Sequence, residues 1–232
     1  MTQVTYPLYA EAQDDKRTLG NMIRRMTMTL SYITFPLMLI LLLCAKPLFV
    51  FLYSDRWVGG VPYFQVLCLA GLAHSLQSVN HQSISAIGKS KVMFNWTFVK
   101  RLAGILMVVM GLIFGGMKGL LVGMVLNTWF SYFVNIGLVS KHIGYKWYNQ
   151  LKDLTPNIIA SIVAALTSYM VTCFLDLSLY IDGMTKLIVF LSIYMGWSFT
   201  FNPESYCYLN SIIIPLIQKV KYRIVKPNKG LK

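Results

Sequence analysis

Apolar stretches of about 20 residues alternate along the chain with shorter polar or basic stretches. A helix needs about 20 mostly apolar residues to cross the hydrocarbon core of a bilayer. The pattern therefore predicts an all-α polytopic membrane protein, a bundle of six transmembrane helices. The predicted spans are residues 27–44, 63–87, 92–114, 119–139, 156–175 and 184–201.

The connections between the apolar stretches predict where helices end. Lys46–Pro47 should end the first helix, because proline clashes with the preceding turn. A short interfacial piece at 48–53 and a loop at 54–62 should follow. Pro156 is expected in the first turn of the fifth span, where proline is tolerated. The other connections are predicted as turns or loops at 88–91, 115–118, 140–154 and 176–183.

The high share of hydrophobic residues supports a membrane protein, and the positions of polar and apolar stretches divide the chain into three parts. Hydrophobic residues make up 56% of the chain and charged residues 12%, whereas soluble domains carry about 25% charged residues. This composition disfavours a single water-soluble domain. We divide the chain into an N-terminal segment (1–26), a six-span lobe (27–201) and a basic tail (202–232).

The net charge of +13 comes from basic residues that lie mostly between the apolar stretches. This placement indicates membrane topology and contact with anionic membrane lipid, not nucleic acid. Alternating the six spans puts 17 of the 21 Lys and Arg residues on one side. The positive-inside rule then predicts that both termini are cytoplasmic.

Polar residues inside the second span form the main candidate site. Their spacing of 4, 3 and 4 places them on one helical stripe, which is flanked by Gln77 and Gln82. The stripe consists of His74, Ser78, His81 and Ser85. Because unpaired polar groups are costly in hydrocarbon, the stripe should line a hydrophilic cavity for a polar, sugar-bearing ligand, or form polar contacts between helices. A metal site is disfavoured, since no carboxylate or thiolate lies nearby.

Three further residues are candidates. Lys100 and Arg101 lie well inside the third span, so at least one of them either extends to the interface or faces a cavity, where it could bind a lipid phosphate. Asn127 shares a polar edge of the fourth span with Ser131 and Asn135, and this edge predicts helix packing or cavity lining.

Catalytic chemistry is not indicated. The sequence has no phosphate-binding glycine loop, HExxH or GxSxG motif, and the four cysteines form no CxxC pair. All eight acidic residues are expected in loops or tails, which argues against a proton or cation relay. We therefore expect neither an enzyme nor a bound cofactor.

Several short motifs, taken in order, resemble the bacterial polysaccharide flippases of the multidrug/oligosaccharidyl-lipid/polysaccharide exporter superfamily. The resemblance covers roughly residues 1–150 and is nearest to the subgroup for O-antigen, colanic-acid-like or capsular polymers. The motifs are Tyr6–Pro7–Leu8–Tyr9, Gln13–Asp14–Asp15, Thr34–Phe35–Pro36–Leu37–Met38, Tyr53–Ser54–Asp55–Arg56–Trp57, Ile87–Gly88–Lys89–Ser90 and Lys100–Arg101.

The resemblance implies one lobe of a two-lobe flippase in the bacterial inner membrane. Such flippases have about twelve or more spans, and this chain resembles the C-terminal half. The implied activity is translocation of undecaprenyl-pyrophosphate-linked oligosaccharide by alternating access. The stripe would contact sugar hydroxyls, and Lys100 and Arg101 would offset the pyrophosphate charge. The implied partner is an N-terminal lobe or a second copy of the chain.

Three alternatives remain open at this point. A multidrug or cation-coupled exporter lobe is disfavoured by the expected lack of mid-span carboxylates. A non-catalytic membrane subunit of a polysaccharide-synthesis complex fits the same composition. An acyl- or glycosyltransferase subunit would need catalytic groups at a membrane face, where His142 is the single loop histidine.

Overall fold

The computed structural model describes residues 9, 15–175 and 178–201, and the regular elements in these ranges are helical. The predicted tail and most of residues 1–14 lie outside the described residues. A 3₁₀ helix, Asp55–Gly60, separates the second and third α-helices. The α-helices are α1 (Lys16–Leu43), α2 (Ala45–Tyr53), α3 (Val61–Ala86), α4 (Ser90–Ile143), α5 (Trp147–Cys173) and α6 (Leu179–Phe201).

Helix α4 is a hairpin of two antiparallel arms. It bends at Gly116, whose φ of 56° and ψ of −140° are not helical and suit glycine because it lacks a Cβ. A Cβ on Gly111 would collide with the Gly119 carbonyl, and one on Gly123 would collide with the Met107 carbonyl. The arms therefore touch through their backbones. They correspond to the predicted third and fourth spans.

Four helices, α1, α4, α5 and α6, are long and apolar enough to cross a membrane. This confirms a multi-pass, all-α membrane protein. Helix α3, the predicted second span, has 26 residues but is too polar to count among the four. The six-span arrangement remains a prediction, in which α3 and each arm of α4 cross separately.

Helix α1 starts earlier than the apolar pattern predicts. It begins at Lys16, where the Asp15 carboxylate accepts hydrogen bonds from the backbone N–H groups of Arg17 and Thr18. These bonds, and one from the Thr18 hydroxyl, hold the pKa of Asp15 below its ordinary value. The predicted break near Lys46–Pro47 is confirmed and lies at Cys44, between α1 and α2.

Three predicted loops and the position of one proline are wrong. The predicted loop at 176–183 overlaps α6, which already begins at Leu179. The loop at 54–62 is mostly the 3₁₀ helix. The loop at 140–154 shrinks to residues 144–146, because α4 runs to Ile143 and α5 begins at Trp147. Pro156 therefore lies in the third turn of α5, not the first. Hydropathy predicts only the apolar part of a helix that can lie in lipid. Helices α4 and α5 both extend beyond their apolar parts.

The expectation that every acidic residue lies in a loop is wrong for three of the described ones, including Asp55 at the start of the 3₁₀ helix. Asp153 lies in α5 and Asp182 in the first turn of α6. Both are ion-paired near a helix end, Asp153 with Arg24 at 3.0 Å and Asp182 with Lys186 at 2.6 Å.

Helix α1 is central to the packing. It contacts α3 on one side and α5 on another, α3 packs along α4, and α5 packs along α6. The α1–α6 contact includes a hydrogen bond from the Tyr194 hydroxyl to the Tyr32 carbonyl, at 2.7 Å. This arrangement leaves the α4 hairpin at one edge, where it is held mainly by α3.

The close contact between the α4 arms is testable with two glycines. We expect Gly119→Ala to lower stability by about 1–3 kcal/mol, because the added methyl group must push the arms apart. Gly115→Ala is the matched control, since a Cβ there meets open space and alanine favours helix by up to about 1 kcal/mol. Thermal unfolding in detergent, followed by circular dichroism, measures both. Equal melting temperatures for the two variants would contradict this contact.

Candidate functional site

Two of the predicted site residues, Arg101 and Asn127, line one groove of about 620 Å³. We call it the lateral groove. It lies between α3 and both arms of α4, and most of its other lining residues are apolar. It is lined by Ala70, Arg101, Gly104, Ile105, Val108, Val109, Met124, Asn127 and Thr128. Arg101 is exposed, so a guanidinium group stands at a mostly apolar wall.

Asn127 is seated against the opposite arm. A Cβ on Gly104 would lie 2.8 Å from both amide atoms of Asn127, so the glycine makes room for this side chain. The Asn127 Oδ1 is buried and has no hydrogen-bond partner among the described residues. An unsatisfied buried acceptor costs about 1–3 kcal/mol. A donor from a ligand or a water molecule in the groove would recover that energy.

The stripe on α3 contains one exposed side chain and two hydroxyl groups that are hydrogen-bonded within the helix. His74 is exposed and lies one helical turn beyond the groove residue Ala70, on the same face. The hydroxyls of Ser78 and Ser85 donate within their own helix, to the carbonyls of Ser75 at 2.7 Å and His81 at 3.1 Å.

Gln77 and His81 are partly buried. His81 also interacts electrostatically with Lys100. Contact between the stripe and a ligand remains a prediction.

Lys100 and Arg101 point to different surroundings, because successive helical residues are about 100° apart. The Lys100 side chain is 7% exposed, and its Nζ donates to the Asn135 Oδ1 at 2.7 Å. This bond joins the two arms of α4. Arg101 instead faces the lateral groove, so a ligand there can reach Arg101 more directly than Lys100.

A buried polar network that joins α1, α3 and α5 is not predicted by the sequence pattern. The Gln150 Nε2 donates to the Asn80 Oδ1 at 2.9 Å and to the Thr27 Oγ1 at 3.5 Å. The Asn157 Nδ2 donates to the Ser31 Oγ at 2.7 Å. Gln150 was assigned to a loop, and Asn80 lies off the stripe. The polarity of the second span was the available signal.

Comparison with known proteins finds one family and several curated relatives that are similar to this chain. Residues 1–62 match a family described as "Polysaccharide biosynthesis protein". An "Uncharacterized membrane protein in cps region" of Klebsiella pneumoniae is 27% identical over 84% of this chain and 39% of its own length. The "Lipopolysaccharide biosynthesis protein WzxC" of Escherichia coli is 27% identical over 59% of this chain and 28% of its own length.

A third relative is the "Teichuronic acid biosynthesis protein TuaB" of Bacillus subtilis, 24% identical over 41% of this chain and 20% of its own length. The chain thus spans well under half the length of these curated relatives. No solved structure matches it significantly. The resemblance to flippase-type polysaccharide-biosynthesis membrane proteins is confirmed.

The Lys100–Asn135 bond can be tested with a double-mutant cycle. Asn135→Leu should destabilise the protein by about 3–5 kcal/mol, since it leaves a buried ammonium group without its partner. Adding Lys100→Met should restore most of that loss, because both polar groups are then replaced by apolar ones. Thermal unfolding of the two variants and the wild type gives the comparison. If the double variant is less stable than Asn135→Leu, the two side chains do not depend on each other.

Proposed function

We propose that this chain forms one lobe of a flippase that moves undecaprenyl-pyrophosphate-linked oligosaccharide across the bacterial inner membrane. The lobe would contain six spans, with both termini cytoplasmic. A second lobe, either an N-terminal half or another copy, would face the lateral groove. The activity is transport by alternating access, not catalysis. The names of the relatives support polysaccharide biosynthesis as the process.

The observation that carries this proposal is the exposed Arg101 in the apolar lateral groove. A charged side chain facing lipid at membrane depth is costly, by about 3 kcal/mol on insertion scales. The groove should therefore border protein or water. A second bundle across it would enclose a passage with one wall made by α3 and the α4 hairpin, and rocking of the bundles would open that passage to either side.

The groove chemistry suits a pyrophosphate-linked sugar. A guanidinium group binds two phosphate oxygens at once, which assigns the pyrophosphate to Arg101. The Asn127 Oδ1 is an unpaired acceptor for a sugar hydroxyl, and His74 adds a donor or acceptor one turn from the groove. Lys100 would act through its charge while it holds the two arms together. Gln77, Ser78, His81 and Ser85 would line the continuation of the passage along α3.

A cation-coupled exporter gains no support from the groove. Its lining includes no carboxylate, and the acids of α5 and α6 are both paired near helix ends. Coupling through a mid-span carboxylate would have to use residues of another lobe. Lipid-linked transport therefore remains the function that the groove favours.

Replacing the groove arginine tests the proposal. In the complete gene that encodes this chain, Arg101→Gln should reduce surface polysaccharide about tenfold or more, because a charge-assisted hydrogen bond to phosphate contributes about 1.5–3 kcal/mol. Lipid-linked oligosaccharide should accumulate in the same cells. Surface polymer and the lipid-linked intermediate are measured in the source bacterium, in a strain deleted for the gene and complemented with each variant.

Lys118→Gln is the matched control, since Lys118 is exposed on α4 and lies outside the groove. It should leave polymer at the wild-type amount. Normal polymer in Arg101→Gln cells that contain normal amounts of the protein would remove Arg101 from the transport path.

A further inference from the structure

A second cleft, of about 540 Å³, opens at the end of the bundle where α1 begins, α4 ends and α5 begins. We call it the terminal cleft. Its charged lining residues are four cations and one carboxylate, Lys16, Arg17, Arg24, Lys152 and Asp153. The amide side chains of Asn21 and Asn149 also line it. It is separate from the lateral groove, which shares none of these residues.

The carboxylate in the cleft is already engaged. One oxygen of Asp153, Oδ2, accepts from the Arg24 Nε at 3.0 Å and from the Tyr145 hydroxyl at 2.6 Å. Burial, with the hydrogen bond to Asp153, raises the pKa of Tyr145 above its ordinary value, so this hydroxyl stays protonated and remains a donor. Asp153 thus neutralises and orients Arg24 and is not available to the other cations.

Three cations in the cleft form no ion pair among the described residues, although Arg17 interacts electrostatically with the nearby Asp15 carboxylate. Within residues 15–175 and 178–201, no carboxylate lies within ion-pair distance of Lys16, Arg17 or Lys152. All three residues are exposed. Like charges gathered in one cleft repel each other, and an anion placed among them relieves that repulsion. A phosphate group suits this site because it offers several acceptor oxygens to ammonium, guanidinium and amide donors.

Aromatic side chains beside the cleft are of the kind found at the level of lipid headgroups. Trp147 and Tyr148 open α5 beside the cleft and are 56% and 48% exposed, as is typical of residues at the membrane–water interface. The Lys146 ammonium lies 5.6 Å from the centre of the Tyr148 ring. Lipid phosphates lie at the same depth as such aromatic residues, so a phospholipid can present its phosphate to the cleft from within the membrane.

We propose that the terminal cleft binds the phosphate of an anionic phospholipid from the leaflet that borders this end of the bundle. The site recognises charge and phosphate oxygens at the headgroup and needs no contact with the lateral groove. It therefore does not depend on the flippase function. Basic pockets between membrane helices are known to bind anionic headgroups in this way.

Lipid retention by the purified full chain tests the proposal. The protein in detergent is titrated with phosphatidylglycerol or phosphatidylcholine, and bound lipid is counted by native mass spectrometry. The variant Lys16→Gln/Arg17→Gln/Lys152→Gln removes three positive charges from the cleft. The matched control, Lys89→Gln/Lys91→Gln/Lys141→Gln, removes the same charge from exposed residues outside the cleft on the same predicted side of the membrane.

The expected result is one saturable phosphatidylglycerol site in the wild type, weakened about tenfold or more in the cleft variant. The control should remain within about twofold of the wild type. Lys16→Arg/Arg17→Lys/Lys152→Arg keeps the charge and should keep the site, and circular dichroism of each variant shows that its helices are intact.

Several results would overturn the proposal. Equal losses in the cleft and control variants would show diffuse attraction instead of a site. Equal retention of phosphatidylcholine would show that charge is not recognised. Displacement of the lipid by inorganic phosphate at the same concentration as phosphatidylglycerol would make free phosphate the ligand and remove the lipid from the proposal.

Discussion

The fold depends on hydrogen bonds between polar side chains of neighbouring helices inside an apolar bundle. Gln150 shows this most directly, because its amide bridges Asn80 of α3 and Thr27 of α1 from a fully buried position in α5. Lipid gives little hydrophobic drive for helices to associate, so close packing and interhelical hydrogen bonds determine which helices meet. The bond from Asn157 to Ser31, a turn or two further along, fixes the same pair, α1 and α5.

The same requirement separates structural polar residues from candidate ligand contacts. Several polar side chains that face a neighbouring helix bond to it, as Lys100 does to Asn135, although the Asn135 Nδ2 and the Gln150 Oε1 have no partner among the described residues. Those on the edge formed by α3 and the α4 hairpin have no such neighbour. Arg101 and His74 are exposed on that edge, and Asn127 keeps an unpaired oxygen. The lateral groove is thus formed by polar groups that the internal packing leaves unused.

The apolar pattern was sufficient to predict the helical class and the position of each long helix. It could not give the helix ends, because residues such as Lys16 and Gln150 are helical without being apolar. The sequence could not predict which way each candidate side chain faces. Lys100 and Arg101 are neighbours in sequence, but which one faces the groove depends on how α4 is rotated against α3. It also depends on how the two arms of α4 pack on each other, through contacts such as Gly104 with Asn127, which hydropathy does not report.

The two clefts share no lining residue, although α4 contributes to both, and this separates their physical roles. The lateral groove lies on α3 and α4, which meet the rest of the bundle mainly through the contact of α3 with α1. The terminal cleft lies where α1 and α5 begin and α4 ends. The ion pair between Arg24 and Asp153 joins α1 to α5 there. An anion in that cleft would reduce repulsion among cations on these two helices. Headgroup binding would therefore steady the α1–α5 pair while leaving the wall formed by α3 and α4 free to move against another bundle.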